Sequence, residues 1–237
     1  MAVLNEEQTM LRDAAKSWVQ EKSPVTAFRK MRDSGVELGY DANAWNEMAE
    51  MGWAGVIIPE EYGGSDFGYL SMGLILEEMG RTLTASPLLA SGLAAASALV
   101  LGGSDAQKSE WLPKIAGGEV VGALAIDEGA HHAPEKVALK AEKSGSGYKL
   151  SGSKSFVLEG MAAGLLIVSA RTSGKPGDTD GITLFLVAGD AKGVSRKRLH
   201  LADSRGAANI TFDGVEVGAD AVLGEVDKGY ALLEKTL

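Results

Sequence analysis

No cysteine occurs among the 237 residues. That excludes disulfides, thiolate zinc sites and a cysteine nucleophile, and it fits a reducing, cytoplasmic setting. Histidine is nearly as scarce. His131 and His132 are adjacent and His200 stands alone, a poor ligand set for a metal. Basic side chains are the minority, 23 Lys and Arg against 32 Asp and Glu, a net charge of −9. The chain as a whole therefore lacks the electrostatic footprint of a nucleic-acid or anionic-membrane binder. Long apolar runs are missing too. The longest beside a helix, residues 87–101, is too short and too rich in Ala and Ser to span a bilayer. The opening MAVLNEEQTM has no basic n-region and no apolar h-region, so no signal peptide is expected. Internal repeats and low-complexity segments are also absent.

What is present divides into two halves with different periods. Hydrophobic residues make up 45%, and the length suffices for one large domain or two smaller ones. In the first half Asn5 and Gln8 form a capping-box pattern ahead of a stripe of Leu11, Ala14, Ala15, Trp18 and Val19. Asp41 caps a second helix with Trp45, Met48, Ala49 and Met51 inward. Ser65 or Asp66 starts a third, carrying Tyr69, Leu70, Leu74 and Leu76. Ser86-Pro87 opens a fourth that closes at Gly102-Gly103, and Ser104 caps a fifth ending near Gly117-Gly118. Met10, Met48, Met51, Met72 and Met79 read as core. Only residues 55–58 read as a strand here. After Gly118 short strands are expected at 120–126, 137–142, 148–150, 156–158, 165–170, 182–187, 194–199 and 208–212, with Gly-, Ser- and Asp-rich turns between them. That spacing points to an antiparallel barrel or sandwich. From Val226, with Tyr230, Leu232 and Leu233, another helix begins.

Three stretches carry more than periodicity: MGWAGVIIPEEYGGSDFGYLSMGLILEEMGR (51–81), GYKLSGSKSFVLEGMAAGLLIVSART (147–172) and ANITFDGVEVGADAVLGEVDKGY (208–230). In this order and spacing they resemble the N-terminal and middle domains of the acyl-CoA dehydrogenase family, over essentially the whole chain. The resemblance implies an α+β fold, an all-helical N-terminal domain (1–118) followed by an antiparallel β-barrel domain (119–225), with residues 226–237 starting a C-terminal helical domain. It implies FAD as cofactor and an acyl-CoA thioester as substrate. A glutamate removes the α proton while hydride leaves the β carbon for the flavin, chemistry that needs a base in reach and preorganised donors on the thioester carbonyl. An electron-transfer partner and a homo- or hetero-oligomer with similar chains are implied as well. The base usually resides in the C-terminal domain, so no catalytic residue is assigned here.

The chain departs from the family pattern at the flavin loop. Where the family reads Thr-Glu-Pro and then Gly-Ser-Asp, this sequence has Ile126-Asp127-Glu128 and His131-His132-Ala133. Where the hairpin usually reads Trp-Ile-Thr or Trp-Ile-Ser, it has Phe156-Val157-Leu158. Carried over residue by residue, the implied cofactor contacts are Leu124, Ile126, Asp127, His132, Phe156 and Leu158. Phe156 keeps an aromatic face; Ile126 and Leu158 remove two hydroxyls, so weakened or lost FAD binding is expected. The plain alternative makes Phe156 and Leu158 barrel core. Asp127, Glu128 and Glu159 are candidate acids by proximity, with solvated loop carboxylates as the default. His131 and His132 read as exposed loop residues within reach of a phosphate. Arg196-Lys197-Arg198 reads as a phosphate contact or a solvated strand edge. Tyr62-Gly63-Gly64 reads as a structural turn. Three functions remain open: an FAD-dependent acyl-CoA dehydrogenase, a non-catalytic subunit of a hetero-oligomeric one, and acyl-CoA binding without redox chemistry.

Overall fold

The computed structural model describes residues 4–237. The signal-peptide reading rests partly on residues 1–3, which lie outside them. The helical half holds α1 (Glu6–Lys22), α2 (Val25–Ser34), α3 (Ala42–Glu50), α4 (Gly68–Thr82), α5 (Ala96–Gly102) and α6 (Asp105–Ala116). After the sheet comes α7 (Gly229–Thr236), where a further helix is expected from Val226. The three expected caps are present. Asn5 and Gln8 bond reciprocally at 2.8 and 3.1 Å, Asp41 accepts from the N–H groups of Asn43 and Ala44, and Ser104 with Gln107 forms a second capping box. Each meets N–H groups that a helix start leaves bare.

Other expectations need correction. Only Met31 of α2 is buried, so this helix has no apolar stripe to announce it; its limits are Pro24 and Gly35, whose φ is 70°. Residues 55–58 are not a strand. Trp53–Gly55 is a tight 3-10 turn, and Ser65, Asp66 and Phe67 donate back to the carbonyls of Gly55, Ile58 and Val56. Those bonds delay α4 to Gly68. The Tyr62-Gly63-Gly64 element is a structural turn: Gly63 has φ 83°, and a Cβ on Gly64 would collide with the Ile58 carbonyl. Met48, Met72 and Met79 are buried, but Met10, off the Ala15–Trp18–Val19 face, and Met51, at the end of α3, are exposed. The expected helix over 87–102 divides into a wide π-helical stretch, Leu89–Ala95, and α5.

The second half is one sheet of β1 (Gly122–Ala125), β2 (Lys140–Ser144), β3 (Gly147–Val157), β4 (Leu165–Arg171), β5 (Ile182–Ala188), β6 (Val194–Arg198), β7 (Ala208–Val217) and β8 (Val222–Leu223). The strand order is β6-β7-β3-β2-β4-β5-β8, with β1 also on β4. Pairing is antiparallel except where β1 and one residue of β2 meet β4. The expected closure into a barrel is not made: β6 and β8 end the order without pairing to each other. A two-residue β8 offers too short an edge to complete a ladder. The expected strands at 148–150 and 156–158 are one long strand, β3.

β4 is buried at every residue because it lies between two cores. Leu165 and Ile167, with Leu184 and Leu186 of β5, join the helix core around Trp53, Met72 and Leu99. Leu166, Val168 and Phe185 face the other way, toward Leu150, Ile210 and Phe212. This is the two-residue alternation of a strand used on both faces. The halves are also tied by hydrogen bonds: Gln107 Nε2 donates to the carbonyls of Asp220 and Val222 at 2.7 and 2.9 Å, and Gly122 N–H to Ser91 Oγ at 2.9 Å.

Candidate functional site

The site begins where the sheet parts. β1 pairs with residues 165–168 of β4, and β2 meets that strand only at Arg171, through Lys140. Residues 126–139 therefore leave the sheet between them. Lys154 of β3 fills the opening. Its side chain is 0% exposed, and Nζ lies 3.2 Å from the Ile126 carbonyl, 2.8 Å from Glu128 Oε1 and 2.9 Å from Ser169 Oγ. Three donors meet three acceptors. Burial lowers the Lys154 pKa to about 8, against the raising effect of Glu128. Glu128 also accepts from the N–H groups of Ala138 and Leu139 at 2.8 and 3.0 Å. Beyond it, Arg171 gathers the neighbouring loops: its guanidinium donates to the carbonyls of Val137, Asp178, Asp180 and Glu135 at 2.8–3.1 Å.

A second irregularity turns β3 outward. Lys154 pairs with Ile210 but Val157 with Ala208, so β3 carries one residue more than β7 over this span, a β-bulge. Simple alternation would put Phe156 and Leu158 inside with Lys154. Instead Phe156 takes φ 52°, its N–H donates to Asn209 Oδ1 at 3.0 Å, and Val157 points in. Phe156 and Leu158 are consequently 52% and 45% exposed. They are not barrel core.

The loop and the bulge meet. Ser155 N–H donates to the Asp127 carbonyl at 2.7 Å. The Asp127 carboxylate accepts from Ala133 N–H at 2.9 Å and lies 2.9 Å from His132 Nδ1, so this nitrogen carries the hydrogen and Nε2 points away. His132 is exposed, as expected. Ile126 is buried at 8% exposure, and Leu124 is half-buried on β1 against the helix core. The structure thus ties Asp127 by a main-chain bond to Ser155, the neighbour of Phe156, with His132 on the Asp127 carboxylate, Ile126 preceding it in the chain and Leu158 on the turn that follows. Leu124 lies apart, below the loop on β1.

Glu159, next along that turn, is 3% exposed and paired with Arg205, which also donates to the Ser86 carbonyl in the helical half. Burial raises the Glu159 pKa, against the opposing effect of Arg205, and burial together with the Glu159 charge raises that of Tyr40. Neither Glu128 nor Glu159 is therefore a solvated loop carboxylate. In the basic run, Lys197 is exposed at the β6 edge, while Arg196 donates to the carbonyls of Ala163 and Gly189 and Arg198 to that of Ser204. Ser169 and Asn209 are the residues that sequence reasoning passes over. Lys154 is matched there to the Leu-Ser-Gly-x-Lys hairpin of the family, as part of the cofactor seat, but with no partner or role of its own.

An exposed aromatic and an exposed leucine beside a pinned loop suit a flat, largely apolar ring system, and in that respect the residues fit a flavin. Side-chain hydroxyls at 126 and 158 are absent, so its polar edge would be met by main-chain groups. A cavity of about 560 Å³ between α1, α2 and α3 involves none of these residues. Among the described residues no helix is long and apolar enough to cross a membrane, and no group of three or more His, Asp or Glu is placed to hold a metal.

Residues 5–119 match the N-terminal domain of acyl-CoA dehydrogenases and residues 126–215 the middle domain. The chain belongs to the acyl-CoA dehydrogenase family. It is 35% identical over 238 residues to the mitochondrial isovaleryl-CoA dehydrogenase of Pongo abelii, covering 97% of this chain and 56% of that protein. Among solved structures it is similar to an acyl-CoA dehydrogenase from Geobacillus kaustophilus, with 29% identity and TM-score 0.87 over 98% of this chain and 62% of that one. Butyryl-CoA dehydrogenase from Megasphaera elsdenii aligns with 26% identity and TM-score 0.87 over 100% of this chain and 63% of that one. The chain spans a little over half the length of the relatives it matches.

Proposed function

We propose that this chain forms the helical and β portions of an FAD-dependent acyl-CoA dehydrogenase, which removes hydrogen across the α,β bond of an acyl-CoA thioester. The observation that carries this reading is the bulge that presents Phe156 and Leu158 to solvent beside the pinned loop. A flavin held there supplies the hydride-accepting chemistry. Phe156 would offer it an aromatic face, Leu158 would shield it from water, and Asp127 with His132 would set a polar edge nearby. The base that takes the α proton lies, on this reading, outside residues 1–237. We place the domain limits at 1–118, 119–225 and 226–237, with a cytoplasmic setting, an electron-transfer partner and association with like chains.

One observation favours a second reading, a subunit with little FAD. Ile126 and Leu158 offer no hydroxyl, and each lost bond is worth roughly 0.5–1.5 kcal/mol, more where a buried polar atom is left bare. The visible spectrum separates the two. Protein purified and incubated with FAD, then desalted, is expected to stay yellow and to bleach with an acyl-CoA that it oxidises. A protein that stays colourless alone and yellows only with a homologous chain favours the subunit reading.

A further inference from the structure

We propose that Lys154 is the positioning residue of the candidate cofactor site, holding residues 126–139 in the place that sets Asp127 against Ser155, beside Phe156. What the loop holds rests on the flavoprotein reading; the hold itself does not. The argument is one of connectivity. Lys154 belongs to β3, and its three acceptors belong to three other segments: the end of β1 through Ile126, the loop through Glu128, and β4 through Ser169. Glu128 passes the connection to Ala138 and Leu139, where the chain returns toward β2. One buried ammonium thus anchors both ends of the loop at the point where β1 and β2 part on β4.

Among the described residues no other side chain replaces it. Without Lys154, the Ile126 carbonyl keeps only Ser169 Oγ, at 3.3 Å, and the Glu128 carboxylate keeps two N–H donors but no cation. The charged groups facing Lys154 are Glu128 and Asp127 on the loop and Arg171 on β4. The pH dependence has a definite sign. In the closed loop burial brings the lysine to about 8, from an ordinary 10.5. Opening hydrates it and restores the ordinary value, so protonation favours opening. Above pH 8 the closed form gives up its proton while the open form keeps it, and the loop closes more firmly, by about tenfold per pH unit.

The test is amide hydrogen exchange at Ala138 and Leu139 in the cofactor-free protein, corrected for the intrinsic rate, alongside FAD titration followed by flavin fluorescence. Lys154→Met is expected to lower protection at both amides tenfold or more, to abolish its rise above pH 8, and to weaken FAD binding about tenfold. Glu128→Gln removes the same link from the loop side and should lower both readouts, which keeps the idea testable if Lys154→Met does not fold by circular dichroism. Unchanged protection in a folded Lys154→Met protein overturns the proposal. So does lowered protection with FAD affinity intact. If the unaltered protein takes up no FAD while Lys154→Met still loses protection, the flavoprotein reading fails and the hold of Lys154 on the loop stands.

Discussion

Lys154–Glu128 and Arg205–Glu159 both bury a carboxylate against a cation, one before Phe156 in the sequence and one after it, yet they are finished differently. Around Lys154 every charged oxygen and every ammonium proton has a partner. Around Glu159 one carboxylate oxygen and Arg205 Nε are buried with none. The first pair closes a gap within the sheet; the second bridges the sheet to the helical half through Ser86. A satisfied network rigidifies its surroundings, whereas an incomplete one leaves desolvation uncompensated. The front of the site is therefore held by a complete network and its back by an incomplete one.

The sharpest way to break this contrast is Arg205→Met, which strands a buried carboxylate and should cost about 3–5 kcal/mol in urea unfolding. Glu159→Gln with Arg205→Met should recover most of that loss. Because the Glu159 pKa is raised, the unaltered protein should lose stability relative to Glu159→Gln as pH climbs from the ordinary glutamate value of 4.5. Lys154 gives the opposite slope. Its pKa is lowered, so the unaltered protein should gain about 1.4 kcal/mol per pH unit over Lys154→Met between about 8 and 10.5. Parallel slopes would show the two pairs to be alike after all. Phe156→Gly relieves the left-handed backbone between the pairs and should leave stability level or raise it by up to about 1 kcal/mol, while FAD affinity falls. Ile126→Thr with Leu158→Thr is expected to tighten FAD binding by roughly 0.5–1.5 kcal/mol per restored bond. Calorimetric titration that finds no tightening would count against these positions as flavin contacts.

Much of the fold was legible because it rests on local rules. Asn5, Asp41 and Ser104 start helices for reasons visible in the next three residues, and Gly- and Asp-rich turns mark most strands. The site was legible only in outline. Phe156 and Leu158 were found through family resemblance, but alternation alone would bury them; the bulge that exposes them depends on Asn209, far along the chain. Lys154 matched the family's hairpin, but its role was hidden because its acceptors come from Ile126, Glu128 and Ser169, which only the parting of β1 and β2 assembles. The π-helical turn at Leu89–Ala95 carries no residue that announces it.

Arg171 has one more consequence. All four of its bonds end on main-chain oxygens, at residues 135, 137, 178 and 180. Every residue type supplies such an oxygen, so the clamp is indifferent to the side chains it grips. Side chains at 135, 178 and 180 can therefore change without removing an acceptor from Arg171, whereas Val137, fully buried, and Glu128, bonded to Lys154, are fixed by other demands.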